Sequence, residues 1–136
     1  MKRKLMAAAM LPMALAACGV HTKTVMESND EARSYPGHNR RVCLLAGNLP
    51  EEMHAKQIGH VTASKRSYGS EERLMLPIAN AARAAGADAV TNLQADQRFK
   101  GPLPWRVAAP TGDGILVKFG SDTPPLNCQA AGGMLY

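Results

Sequence analysis

Thirteen of the first 17 residues of this 136-residue chain are hydrophobic, and they limit what the rest can become. All but Met1 form one run, Leu5 to Ala17, broken only by Pro12 and preceded by Lys2-Arg3-Lys4. As a helix rising about 1.5 Å per residue the run reaches about 20 Å, short of a ~30 Å hydrocarbon core. A cationic start followed by a short apolar run and small residues reads as a secretory signal peptide over residues 1–17, not as a membrane-spanning helix. Its side chains are then lost to the fold, and 119 residues remain, enough for one small domain. The charge shifts as well: without the three leading cations, 13 basic residues face 11 acidic ones, and the formal +5 becomes +2. A surface so nearly balanced lacks the clustered positive charge that phosphate backbones require, so no nucleic-acid partner is expected.

The run ends in Leu15-Ala16-Ala17-Cys18-Gly19. This segment resembles the lipobox of bacterial lipoproteins, in which the cysteine thiol receives a diacylglycerol, the chain is cut before it, and the new amino group is acylated. The resemblance implies a lipidated Cys18 carrying diacylglycerol and palmitate-type chains, and a permanent membrane anchor, since two or more chains suffice for stable attachment. By the lipoprotein sorting rule, Gly19 in place of Asp implies the outer membrane. The expected location is therefore the cell envelope, lipid-anchored at the outer membrane and facing the periplasm.

Residues 18–39 are polar, with stretches such as His21-Thr22-Lys23-Thr24 and Glu27-Ser28-Asn29-Asp30-Glu31. Such a stretch buries too little apolar surface to offset its ordering entropy, so it reads as a flexible tether behind the lipidated cysteine. Docking of Val25 and Met26 as a short edge strand is the alternative. Residues 40–136 read as a single domain.

Within it, alternation over Arg40 to Gly47 predicts a first strand and Gln57 to Lys65 a second. Ser70, Glu71 and Glu72 suit a helix start, and Leu74, Ile78, Ala82 and Ala85 form one apolar stripe. Pro77 is accommodated either by a kink or by starting the main helix at Leu76. Gly86 ends the helix. Asp88 to Gln97 is the next strand, followed by the rigid connector Gly101-Pro102-Leu103-Pro104-Trp105. Arg106 to Ala109 extends towards a turn at Pro110-Thr111-Gly112-Asp113-Gly114, and Ile115 to Phe119 is the last strand. The polar segment after Gly120 is expected to run over the surface. The predicted class is α+β: one main helix packed on a small mixed sheet of about four strands, in the order β-β-α-β-β.

The segment Ala82-Arg83-Ala84-Ala85-Gly86-Ala87-Asp88-Ala89-Val90 resembles a motif of two related groups, the small bacterial α+β domains named for heavy-metal binding and the outer-membrane sensor lipoproteins of the Rcs envelope-stress phosphorelay. In both, a helix ending in Gly-Ala-Asp/Asn-Ala-Val feeds directly into a strand. The physics of Gly86, Ala87 and Asp88 is structural: Gly86 turns the chain, Ala82, Ala85 and Ala87 allow close approach of helix and sheet, and Asp88 accepts hydrogen bonds from the turn or pairs with Arg83. An isolated carboxylate without a partner base or metal is no catalytic constellation.

With Cys18 assigned to lipid, Cys43 and Cys128 remain in an oxidising compartment, where leftover thiols usually pair. A Cys43–Cys128 disulfide is expected, with a metal site or two free thiols as the alternatives. The stress sensors carry two disulfides from four domain cysteines, so their redox-gated signalling does not transfer. His21, His38, His54 and His60 have no ligand spacing, and no metal is expected. A Ser64, His60 and Asp88 triad lacks a nucleophile elbow or oxyanion hole, so no catalytic residue, enzyme activity or cofactor is expected. Lys65 and Arg66 form a candidate basic rim, and Trp105 with Arg106 a candidate interaction anchor. The expected function is a non-catalytic, lipid-anchored envelope protein that binds an envelope protein partner in sensing or assembly. The alternative is a small-ligand or metal-binding domain that forms an oligomer.

Overall fold

The computed structural model describes residues 19–27, 35–65, 69–100, 107–121 and 124–136. Its strands are β1 (Val20–Met26), β2 (Cys43–Leu44), β3 (Lys56–Lys65), β4 (Ala89–Lys100), β5 (Val107–Lys118) and β6 (Met134–Leu135). The helix α1 (Met75–Ala84) continues a 3-10 turn at Glu71–Leu74. These strands make one mixed sheet in the order β1-β3-β5-β4-β2-β6. The expected α+β architecture with about four strands is thereby corrected: among the described residues the fold is a six-stranded sheet with one helical stretch of 14 residues and a short 3-10 turn at Glu51–Met53, more sheet than helix.

Two strands come from segments expected to be unstructured. Residues Val20 to Met26, placed in the flexible tether, pair antiparallel with β3 from Val20↔Lys65 to Met26↔Gly59. The segment carries β-branched residues such as Thr22, Thr24 and Val25, which suit a pleated edge, and β3 supplies the ladder. The folded unit therefore begins at Val20 and not near Arg40. At the other end, the segment expected to cross the surface returns as β6, antiparallel to β2 through Cys43↔Leu135 and Leu44↔Met134. The first expected strand shortens to Cys43–Leu44, extended on either side by single hydrogen bonds: Val42 and Tyr136 exchange both of theirs, and the Leu45 N–H donates to the Val90 carbonyl at 2.8 Å.

The turn expected at residues 110–114 is instead the middle of β5, which runs unbroken from Val107 to Lys118. Pro110 lies one position past Thr111, the last β5 residue paired with β3, where β5 has only β4 beside it. An edge position of this kind is where a strand tolerates proline. Gly112 serves clearance rather than turning: a side chain there would begin 3.3 Å from Leu74 Cδ1 and 3.6 Å from Ile78 Cδ1, so its absence lets the helix seat on the sheet.

β3 and β4 both pair antiparallel with β5 and so run parallel to each other, and α1 crosses over from one to the other. Pro77 is the third residue of α1, where its missing N–H has no intrahelical partner to lose. Ser70 stands at the N-cap of the 3-10 turn but makes no side-chain capping bond. Leu74, Ile78 and Ala82 are fully buried, as the apolar stripe requires, and they pack with Val42, Val61, Val90 and Leu116 on one face of the sheet. On the other face, Cys43, Ala89 and Val117 pack with Cys128, beside Ile115, Phe119, Leu126 and Ala131. The C-terminal segment thus covers the face opposite the helix. Among the described residues no helix is long and apolar enough to cross a membrane.

Candidate functional site

Residues 35–42 run past the C-terminal end of α1 and meet the turn into β4. Gly86 has φ +80°, and any side chain there would start 2.8 Å from the Pro36 carbonyl oxygen and from Tyr35 Cβ, so glycine answers both conformation and space. Ala87 is fully buried. Asp88 then gathers groups from two other parts of the chain. Its Oδ2 accepts the Phe119 backbone N–H at 2.9 Å. Its Oδ1 lies 3.4 Å from the Arg40 guanidinium, 3.7 Å from Lys118 Nζ and 3.9 Å from His38 Nε2.

Two of these groups are themselves tied to the same turn. Lys118 Nζ donates to the Gly86 carbonyl at 3.0 Å and sits 5.4 Å from the Tyr35 ring centre. His38 Nε2 is 2.6 Å from the Ala87 carbonyl oxygen. Of the two alternatives for Asp88, hydrogen bonds from the turn or a pair with Arg83, the second does not form: Arg83 donates to the Tyr136 carbonyl at 2.7 Å and to Asn80. Nothing in the sequence singles out His38, Arg40 and Lys118 as partners, since none stands at a helical or strand spacing from Asp88.

This arrangement clamps rather than reacts. The carboxylate has a backbone donor and neighbouring cations, and the helix end, β5 and residues 38–40 are held together through it. Arg40 is 70% exposed, so its share is small. Asp88→Ala removes the acceptor of the Phe119 N–H and should lower stability by about 2 kcal/mol, within the range for hydrogen bonds to a charged group. Urea denaturation checks this, with Asp88→Asn expected to lose less.

The remaining sequence-derived candidates separate. Cys43 and Cys128 are bridged, with Cα atoms 5.7 Å apart, both sulfurs lying in the buried cluster opposite the helix. Lys65 does not form an exposed rim: it is 9% exposed at the end of β3 and lies against Gly69. Cys18, Arg66, Trp105 and Arg106 lie outside the described residues. His60 and Ser64 stand four residues apart on β3, about 13 Å at ~3.3 Å per residue, so with Asp88 they make no triad. His60 Nε2 is 3.2 Å from the Gln57 amide nitrogen. Among the described residues no three His, Cys, Asp or Glu side chains come together as a metal site.

A more open feature lies between β1 and α1. Thr22, Thr24 and Met26, alternate residues on one face of β1, line a groove of about 520 Å³ with Tyr35 and with Ala81, Ala84 and Ala85 of the helix end. Its walls are mainly apolar, and small alanines leave it open. β1 is the terminal strand of the sheet, so one side of its backbone has no strand partner among the described residues. Val25, on the opposite face of β1 from the groove, is 54% exposed. An extended backbone edge with an apolar groove beside it can take an added strand, whose main chain pairs with the edge while alternate side chains enter the groove.

No protein-family model matches this chain, and no curated protein matches it. Among solved structures, the crystal structure of the Francisella virulence factor FvfA is similar to it, at 12% sequence identity over 71% of this chain and 97% of that chain, with a TM-score of 0.44.

Proposed function

We propose that the chain is a non-catalytic lipoprotein of the cell envelope, anchored through Cys18 at the outer membrane with its domain in the periplasm, and that it binds an extended segment of another envelope protein in a sensing or assembly role. The observation that carries the partner-binding part is the β1 edge with its adjoining groove. The anchor rests on the signal peptide and the Leu15-to-Gly19 box. The Cys43–Cys128 disulfide suits an oxidising compartment. The resemblance of residues 82–90 to the stress-sensor lipoproteins supports a sensing role.

Two measurements in living cells test it. Cys18→Ser should abolish incorporation of a palmitate analogue and leave the signal peptide uncleaved; label retained by that variant would refute the anchor. A photo-crosslinking residue at position 25 should trap one discrete envelope protein. Recovery of no protein from that edge would refute the partner.

A further inference from the structure

The sheet departs from regular pairing at two places, and both border one cavity. Between Gln57↔Val117 and Gly59↔Leu116, β3 takes two residues where β5 takes one. Between Thr91↔Ile115 and Gln94↔Asp113, β4 takes three where β5 takes two. Each is a bulge with one extra residue, a device that bends a strand and re-aims its side chains, often beside functional sites. Both lie on strands with a neighbour on either side, not at an edge.

Two residues other than glycine have positive φ among the described residues, His54 at 42° and Asn92 at 49°, and they line the same cavity. A left-handed backbone costs free energy at any residue with a Cβ, and it persists only where the surroundings hold it. Asn92 is held in this way. With no β5 partner of its own, its N–H donates to the Gly47 carbonyl at 3.0 Å, and the Leu93 N–H donates to the Leu45 carbonyl at 2.9 Å. Successive residues of a regular strand face opposite sides of a sheet. Here the bulge lets Thr91 and Asn92, which are adjacent, both line the cavity.

The cavity measures about 370 Å³ and lies on the face opposite α1, with Ile115 and Val117 of β5 beneath it and residues 48–51 and 54–55 along its rim. This volume is in the range of sites that hold small molecules. Asn48, Gln57 and Asn92 bring carboxamides to it, and Thr91 a hydroxyl. Among the described residues the side chains of Asn48 and Asn92 have no hydrogen-bond partner. A carboxamide both donates and accepts, which matches a pair of neighbouring hydroxyl groups.

The same surroundings exclude other ligands. No described lysine or arginine lines the cavity, so nothing there offsets the charge of a phosphate or carboxylate. Glu51 is exposed, and an exposed carboxylate attracts an ammonium only weakly. An added peptide strand has no free backbone to pair with, because β3, β5 and β4 are each flanked on both sides. We infer that this cavity binds a neutral saccharide of one or two rings, with Asn48 and Asn92 hydrogen-bonded to its hydroxyls and Ile115 and Val117 against its C–H face. The site is separate from the β1 edge and needs no anchor at Cys18.

The test uses the full protein purified from cells in dodecylphosphocholine micelles, whose head group carries no sugar. Backbone amide resonances are followed while chitobiose or maltose is added. Saturable shifts are expected at Gln57, Thr91 and Asn92. A response to both sugars assigns recognition to the ring hydroxyls, and a response to chitobiose alone assigns it to the acetamido group; either supports the site. Asn92→Gly accepts the left-handed backbone and lacks the carboxamide, so it should bind about tenfold more weakly, the share of a hydrogen bond or two, with its urea midpoint unchanged. Asn48→Ala on the exposed rim should weaken binding similarly, and it replaces the first variant if that one fails to fold. The site is overturned if neither sugar gives a saturable shift up to its solubility, if the shifts fall in the groove between β1 and α1, or if both variants bind as the native protein does. N-acetyl-triglycine amide shifting the same amides more strongly than either sugar would also overturn it, in favour of a peptide ligand.

Discussion

Replacing Cys43 and Cys128 together by alanine is expected to lower the free energy of unfolding by about 4–5 kcal/mol, the loop-closure value for a bridge between residues 85 apart. Domains of this size are typically stable by only ~5–15 kcal/mol, so the variant should unfold at far lower urea, with its m-value raised by the more expanded denatured chain. Reduction of the native protein should reproduce the loss without any change of side chain. The bridge also has a local task. Cys128 joins the segment covering the face opposite the helix to β2, a strand of two residues that lies between β4 and the equally short β6. A double variant whose midpoint stays within a fraction of a molar of the native one would show that the cluster around Leu45 and Leu126 suffices by itself.

The second large effect is expected at Ile78. This side chain is fully buried between the helix and the sheet, among Leu74, Val61 and Leu116. Ile78→Ala should cost about 3–4 kcal/mol, from lost transfer energy and from the cavity left behind. Little collapse into that space is open to the site, because the helix already sits close on β5 at Gly112. Leu76→Ala, two positions away but 54% exposed, is the control and should change stability by no more than about 0.5 kcal/mol. Equal losses at the two positions would mean that the helix does not pack through the Leu74, Ile78 and Ala82 stripe.

That stripe was legible from spacing alone, as was the stop at Gly86, because both depend on interactions within one turn of the chain. β3 was legible for a similar reason: from Gly59 to Ala63 it alternates buried and exposed residues along its own length. β1 and β6 were not. Val20 to Met26 is ordered by the ladder of β3, and Met134–Leu135 by β2, so the β-branched residues of the first and the two apolar residues of the second do not by themselves decide for a strand. At residues 110–114 the proline and two glycines look like turn chemistry, whereas the proline falls just past the last β5 residue paired with β3 and Gly112 makes room for the helix. The cysteine pair could be reasoned from compartment and count. The partners of Asp88 could not, since His38, Arg40 and Lys118 reach it only through tertiary folding. Ala81, Ala84 and Ala85 illustrate the same limit: small residues at a helix end imply close packing, yet here they leave a groove.

The order of the strands also sets when the fold can be completed. The β4–β5 ladder joins consecutive strands, but β2 gains its second partner only when position 135 meets position 43. Sheets closed by such distant pairings fold slowly, on the millisecond-to-second scale, because loop entropy is lost before the contacts that offset it are made. A newly made chain of this kind lingers without its last edge and without the disulfide that secures it. On the export proposed above, such slowness would keep the chain in an extended form that can still be transported.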